Sequence, residues 1–221
     1  MLTFASIARR FAAGFAFVAA AAFVAASSAS AQDLQEGKNY FRFKNPVPVE
    51  SGKKIEVLEF FSYGCPHCAD LEPEMQGWVR TLPADVQFRR IPVLFQDRWV
   101  ALAKVYYTLE AMGEERRLTP EVFIALHEKG SNLWQDKVFF DWAAQHGLDR
   151  KKVEDVYNSF AVAGKINRAK QLSQAYNVQS VPMIVVDGKF VTASDRVGTH
   201  ANLPPVIDQL VAKARAERPK S

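Results

Sequence analysis

The sequence predicts an α/β fold in which one sheet is interrupted by an all-helical insertion. Three observations carry this. The apolar run Ile55-Glu56-Val57-Leu58-Glu59-Phe60-Phe61 has the length and composition of a buried strand and gives way at once to helical spacing. From residue 98 to residue 170 the apolar spacing is helical throughout. Strand signals then return as a hairpin, followed by a terminal helix.

The segment from Gln32 to Lys54 is polar and holds Pro46, Pro48 and Gly52. The first strand follows at residues 55–61. Ser62-Tyr63-Gly64 breaks the run, and from Cys65 to about Arg80 the apolar residues Leu71, Met75, Trp78 and Val79 fall at helical intervals. Pro66 suits a first helical position because its missing N–H would be unpaired there, whereas Pro73 in mid-helix predicts a kink. A second strand is expected at Val86 to Pro92, on an imperfect alternation.

The insertion begins with Trp99, Leu102, Val105, Tyr106, Leu109 and Met112, and Gly113 ends that helix. Thr119 followed by Pro120 predicts a cap, with a second helix from Glu121 to Gly130; a third runs from about Asp136 to His146. Asp149 is expected to cap a fourth, with Val153, Val156, Tyr157 and Phe160 facing inward. Ile166, Ala169, Leu172 and Tyr176 mark a fifth. Met183 to Val186 is a strand, and Asp187-Gly188 is a two-residue hairpin signal leading into Lys189 to Thr192. Asn202 precedes a last helix bearing Val206, Ile207, Leu210, Val211 and Ala214, and Arg218 to Ser221 reads as frayed. The order divides the chain into residues 1–31, a first sheet part at 32–97, the helical insertion at 98–170 and a second sheet part at 171–221.

Residues 1–31 read as a secretory signal peptide. Arg9 and Arg10 precede an apolar run of 16 residues, Phe11 to Ala26, too short for an ordinary membrane span of about 20, and Ala29-Ser30-Ala31 offers small residues for cleavage. An uncleaved anchor is the alternative. Either way the rest of the chain faces an oxidising compartment, and the expected location is the periplasm. Removing the signal leaves 26 basic against 24 acidic residues, and the basic ones are scattered, so nucleic-acid binding is unsupported. A chain of 221 residues, 48% hydrophobic, buries a core without disulfide staples, leaving its two cysteines free for chemistry.

Those cysteines, Cys65 and Cys68, sit at the strand-to-helix junction. Three residues apart in a helix places them about 5 to 6 Å from one another, within the span a disulfide tolerates. The first turn offers unpaired N–H groups and the positive end of the helix dipole, which favour a thiolate, so Cys65 is the natural nucleophile. Cys68, one turn further in, is the more buried, resolving thiol. Stabilising the Cys65 thiolate stabilises the dithiol and makes the disulfide a stronger oxidant. An imidazole at His67 can donate to that sulfur and adds positive charge. Haem attachment would need His after the second cysteine, where Ala69 stands. A zinc site is poorly supported, since His127, His146 and His200 lack paired ligand spacing, and a static disulfide remains an alternative.

Leu58-Glu59-Phe60-Phe61-Ser62-Tyr63-Gly64-Cys65-Pro66-His67-Cys68, with Val181-Pro182 further on, resembles the DsbA family of periplasmic thiol-disulfide oxidoreductases. The resemblance covers the order of elements of the whole exported chain. It implies a thioredoxin fold with an inserted all-helical domain, and a low-pKa, strongly oxidising cysteine pair. It implies that Val181-Pro182 is a cis-proline loop, with Pro182 beside the sulfurs and the Val181 backbone free to pair with an extended substrate. It also implies that Glu59, a carboxylate in an apolar strand, handles the proton of the buried cysteine. A charge near Cys65 would oppose its activation, so that role concerns Cys68.

The expected function is therefore donation of the Cys65–Cys68 disulfide to reduced, unfolded exported proteins through a mixed disulfide, with no cofactor or metal beyond that pair. The family further implies a DsbB-like, quinone-linked membrane reoxidase, and the chain is expected to be a monomer. Reducing relatives carry Gly-Pro between their cysteines where Pro66-His67 stands here, and dimeric isomerases need a preceding domain for which Gln32 to Lys54 leaves no room. An isomerase or reductase, a non-catalytic periplasmic chaperone and a metal-binding module remain the rival functions.

Overall fold

The computed structural model describes residues 33–219, so the signal peptide read at residues 1–31 lies outside the described residues. Five strands form one mixed sheet. They are β1 (Phe41–Arg42), β2 (Ile55–Phe61), β3 (Val86–Pro92), β4 (Met183–Val186) and β5 (Phe190–Thr192), in the order β1-β5-β4-β2-β3. Only β2 and β3 are parallel, joined by the crossover helix α1 (Pro66–Val79); every other pair is antiparallel.

Five helices fill the insertion: α2 (Asp97–Ala111), α3 (Glu115–His127), α4 (Asp136–Gln145), α5 (Arg150–Tyr157) and α6 (Phe160–Ala175). The boundary drawn between residues 170 and 171 falls inside α6. After the hairpin come a short helix, α7 (Ser194–Val197), a 3-10 turn at His200–Asn202 and α8 (Leu203–Glu217).

The central strands are buried on both faces, which is why β2 reads as an almost unbroken apolar run. Alternation along β2 and β4 divides the core. Leu58, Phe60 and Val185 pack with the insertion and Tyr176, whereas Val57, Ile184 and Val186 pack with Leu71, Met75 and Trp78 of α1 and Ile207 and Leu210 of α8. Asp187 and Gly188 both have positive φ, at 54° and 64°, the backbone that a two-residue hairpin turn requires.

Several local readings give way to tertiary structure. The helix expected from Glu121 begins at Glu115, and Thr119 and Pro120 lie inside it. Pro120 forfeits only one bond, to the carbonyl of exposed Arg116, while the Thr119 hydroxyl lies 2.8 Å from the Tyr63 hydroxyl in the core instead of capping. Phe160 does not face inward: Ser159 accepts a bond from the Val162 N–H and starts α6 afresh, which leaves Phe160 98% exposed. Arg218 is anchored and not frayed, donating to the Asp187 carboxylate and to the Lys53 and Lys54 carbonyls. The polar composition of residues 32–54 gave no sign of β1, which pairs with β5 at the sheet edge. Asn202 directs its amide to the Val197 carbonyl and does not cap α8 through its side chain.

Candidate active site

The C-terminal end of β2 delivers the chain into a tight turn. The Gly64 N–H donates to the Ser62 hydroxyl at 3.1 Å and the Cys65 N–H to the Ser62 carbonyl at 3.1 Å. Cys65 is the N-cap of α1 and Pro66 its first residue, so the sulfur sits at the end of the helix where N–H groups are unpaired. Gly64 is required here for space: a Cβ on it would stand 2.5 Å from Trp99 Nε1 of α2.

Both cysteines are free thiols, and they differ in setting. Cys65 is 6% exposed and Cys68 1%. The Cys65 thiol is pulled down to about 6, first by the hydrogen bond from the Cys68 thiol, then by the backbone N–H groups of Cys68 and His67 and the charge of His67, all against burial. Cys68 moves the opposite way. Burial pushes its thiol far up, helped by the bond it gives Cys65 and by the charges of Cys65 and Glu59. One sulfur is thus readied as a thiolate and the other held as a thiol.

His67 is turned outward, its side chain 78% exposed and its Nδ1 3.9 Å from an Asp70 carboxylate oxygen. It bears on Cys65 through its N–H and its charge. Val181-Pro182 is a cis peptide, and the Cys65 thiol lies 3.6 Å from the Val181 carbonyl, which accepts from it. His67, Val181 and Pro182 line a groove of about 580 Å³ together with Ser194, Asp195 and His200. The structure therefore brings Cys65, Pro66, His67, Cys68, Val181 and Pro182 together at one end of α1.

Glu59 lies beneath them. It is 2% exposed, in register with Arg90 on β3 and Ile184 on β4. Arg90 donates through Nε to Glu59 at 2.8 Å and through Nη2 to Glu72 at 2.6 Å, and all three side chains are buried. Neither Arg90 nor Glu72 was singled out from the sequence. Glu72 carried a readable signal, since it lies four residues after Cys68 on the face of α1 that also buries Leu71 and Met75. Arg90 carried none, because its pairing depends on the register of two strands. A second tie comes from the insertion: His127 Nε2 on α3 lies 2.7 Å from the Tyr63 carbonyl.

Residues 56–203 match the DSBA-like thioredoxin domain family. The chain belongs to that family. It is 38% identical over 204 residues to the thiol:disulfide interchange protein DsbA of Bordetella parapertussis, covering 91% of this chain and 97% of that protein. It is 40% identical over 193 residues to DsbA of Pseudomonas aeruginosa, with 87% and 92% covered. The crystal structure of Pseudomonas aeruginosa DsbA superposes with a TM-score of 0.80 at 40% identity, over 83% of this chain and 96% of that one. Like these DsbA proteins, the chain is a thiol-disulfide oxidoreductase on a thioredoxin fold with a helical insertion. Its two thiols of opposite character at the start of α1 are the chemistry that such interchange requires.

Proposed function

We propose that this DSBA-like protein acts as a disulfide donor in the periplasm, oxidising cysteine pairs of reduced, unfolded exported proteins. The opposed settings of Cys65 and Cys68 carry the reading: a lowered Cys65 stabilises the dithiol, so the disulfide is the less stable side of the couple and electrons flow in from clients.

In the cycle, a client thiolate attacks Cys65; the Cys65–Cys68 bond breaks, a client–Cys65 bond forms, and the electron pair leaves on Cys68, which takes up a proton. A second client thiolate then attacks the client sulfur, releasing the oxidised client and the Cys65 thiolate. A DsbB-like, quinone-linked membrane protein restores the disulfide. There Cys65 attacks the partner's disulfide, and Cys68, having lost its proton, attacks Cys65 and expels the partner as dithiol.

The groove beside Val181 and Pro182 suits an extended client segment, whose backbone would pair with Val181. Glu59 handles the Cys68 proton. The cysteine pair carries the redox equivalents without a bound cofactor, and a monomer suffices because every group named comes from one chain.

The deciding experiment is redox equilibration with glutathione, coupled to two variants. The expected outcomes are a readily reduced disulfide, loss of client oxidation in Cys65→Ser, and accumulation of client mixed disulfides in Cys68→Ser. A disulfide as resistant as a structural cross-link, or client oxidation retained in Cys65→Ser, overturns the reading.

A further inference from the structure

We infer that the cavity behind α1 is a binding site for a small aromatic carboxylate, gripped by its acid group at Arg80 and Arg116 and accepting a hydrogen bond from the Tyr106 hydroxyl through a second oxygen. Neither cysteine lines this cavity, and the inference does not rest on the disulfide cycle.

Helix α1, strand β3, helix α2 and the start of α3 enclose a space of about 400 Å³, within the size range of small-molecule sites. Burial distinguishes its floor from its mouth. Tyr106 on α2 is 3% exposed, whereas the Arg116 side chain on α3 is 80% exposed and Arg80, at the C-cap of α1, is exposed as well. Phe88 of β3 and Val79 of α1, both half-buried, supply apolar wall. The Trp78 ring, 5.8 Å away and nearly perpendicular, holds the Phe88 ring in place.

The floor carries an unmet donor. Tyr106 packs its ring against Phe61, Tyr63 and Tyr107, and its hydroxyl has no hydrogen-bond partner among the described residues. Burial raises this phenol well above its ordinary value, so it remains a donor at neutral pH. A buried hydroxyl without an acceptor costs free energy that a ligand oxygen recovers.

The mouth carries cations without a firm counter-charge. Among the lining acids, Glu72 is bonded to Arg90 and Glu110 to Lys165. Among the lining arginines, Arg89 is engaged by Glu50 and Glu56, and Arg117 by Glu114. Arg80 has no carboxylate partner among the described residues; it donates to the neutral Gln76 amide oxygen at 2.6 Å. Arg116 meets Glu115 only at 3.8 Å, too long for a hydrogen bond. Two such guanidiniums favour a planar anion that accepts paired N–H bonds, which a carboxylate does. Phe88 favours a flat aromatic body on that acid. A bare inorganic anion would leave Phe88, Val79 and Tyr106 unused, and a neutral aromatic would leave the two arginines so.

The test is titration of the purified protein at pH 7 with 4-hydroxybenzoate, benzoate and 4-hydroxybenzamide, read from amide chemical shifts. The first probe carries both handles, the second lacks the far oxygen and the third lacks the charge. The expected result is saturable shifts clustered at Val79, Phe88 and Tyr106. Binding of 4-hydroxybenzoate should be about fivefold tighter than that of benzoate and about tenfold tighter than that of the amide. Tyr106→Phe should abolish the preference for 4-hydroxybenzoate over benzoate, and the double variant Arg80→Gln, Arg116→Gln should abolish the preference for acid over amide. Each preference is a ratio between ligands on one protein, so general loosening of the fold imitates neither loss. Shifts that fail to saturate, or that centre on His67 and Val181, overturn the inference. So does an amide bound as tightly as the acid by the wild type, or a preference that survives in the variant designed to remove it.

Discussion

His127, at the end of α3 in the insertion, meets the carbonyl oxygen of Tyr63 at 2.7 Å, two residues ahead of the nucleophilic sulfur. The ring also packs at a tilt on Phe123, with centroids 6.1 Å apart. The helical insertion thereby holds the active-site turn through the backbone just ahead of Cys65. A single partly exposed bond of this kind contributes about 1 kcal/mol. His127→Ala is expected to lower stability in denaturant by about that amount and to speed amide exchange at Gly64 and Cys65 selectively. Uniform acceleration across the sheet would contradict a local tether.

Gly64 and Trp99 define a steric limit at the same turn. A methyl group at residue 64 would meet the indole at 2.5 Å and Leu102 at 3.2 Å. Gly64→Ala is expected to cost about 1–3 kcal/mol through overpacking, and Trp99→Leu should relieve most of that cost. Thermal melts of the single and double variants measure the coupling; additive losses would place the strain elsewhere.

The lowered Cys65 thiol makes the stability of the reduced protein depend on pH with a definite sign. Its folded value of about 6 lies below the ordinary 9.0, so between those limits the unfolded chain binds the extra proton and stability rises with pH. The contribution is present in full above the unfolded value and is lost as pH falls through about 6. Cys68 works oppositely only at alkaline pH, because its raised thiol stays protonated in the fold after the unfolded thiol has ionised. The oxidised protein has neither group. Melting both redox forms between pH 8 and pH 4 should show the advantage of the reduced form shrinking as pH falls through about 6, and a constant gap would contradict a stabilised thiolate.

Removing the cation from the buried triad strands two acids. Arg90→Met is expected to cost about 3–5 kcal/mol at neutral pH. The Glu72 carboxyl, already raised by burial and held back by Arg90, would then be raised further, so it favours the fold when protonated and disfavours it as pH climbs. The deficit relative to wild type should therefore narrow on acidification, as read from urea midpoints at pH 5 and pH 8. A deficit independent of pH would assign the loss to packing of the guanidinium against Phe88 and Phe61.

What was legible in the sequence depended on neighbours along the chain. The cysteine spacing, Pro66 at the first helical position, the Asp187-Gly188 turn and the amphipathic helices of the insertion rest on contacts within a few residues, and the pattern alone specifies those. Tertiary structure decided the rest. Thr119 abandoned its cap because its hydroxyl pairs in the core with a phenol 56 residues away, and Phe160 was turned outward by a fresh helix start at Ser159. Arg90 could be matched to Glu59 and Glu72 only after the parallel register of β2 and β3 and the seating of α1 had brought the three charges together. A buried charge must find its counter-charge wherever the fold has placed one, and that partner is set by spatial position, which sequence separation does not encode.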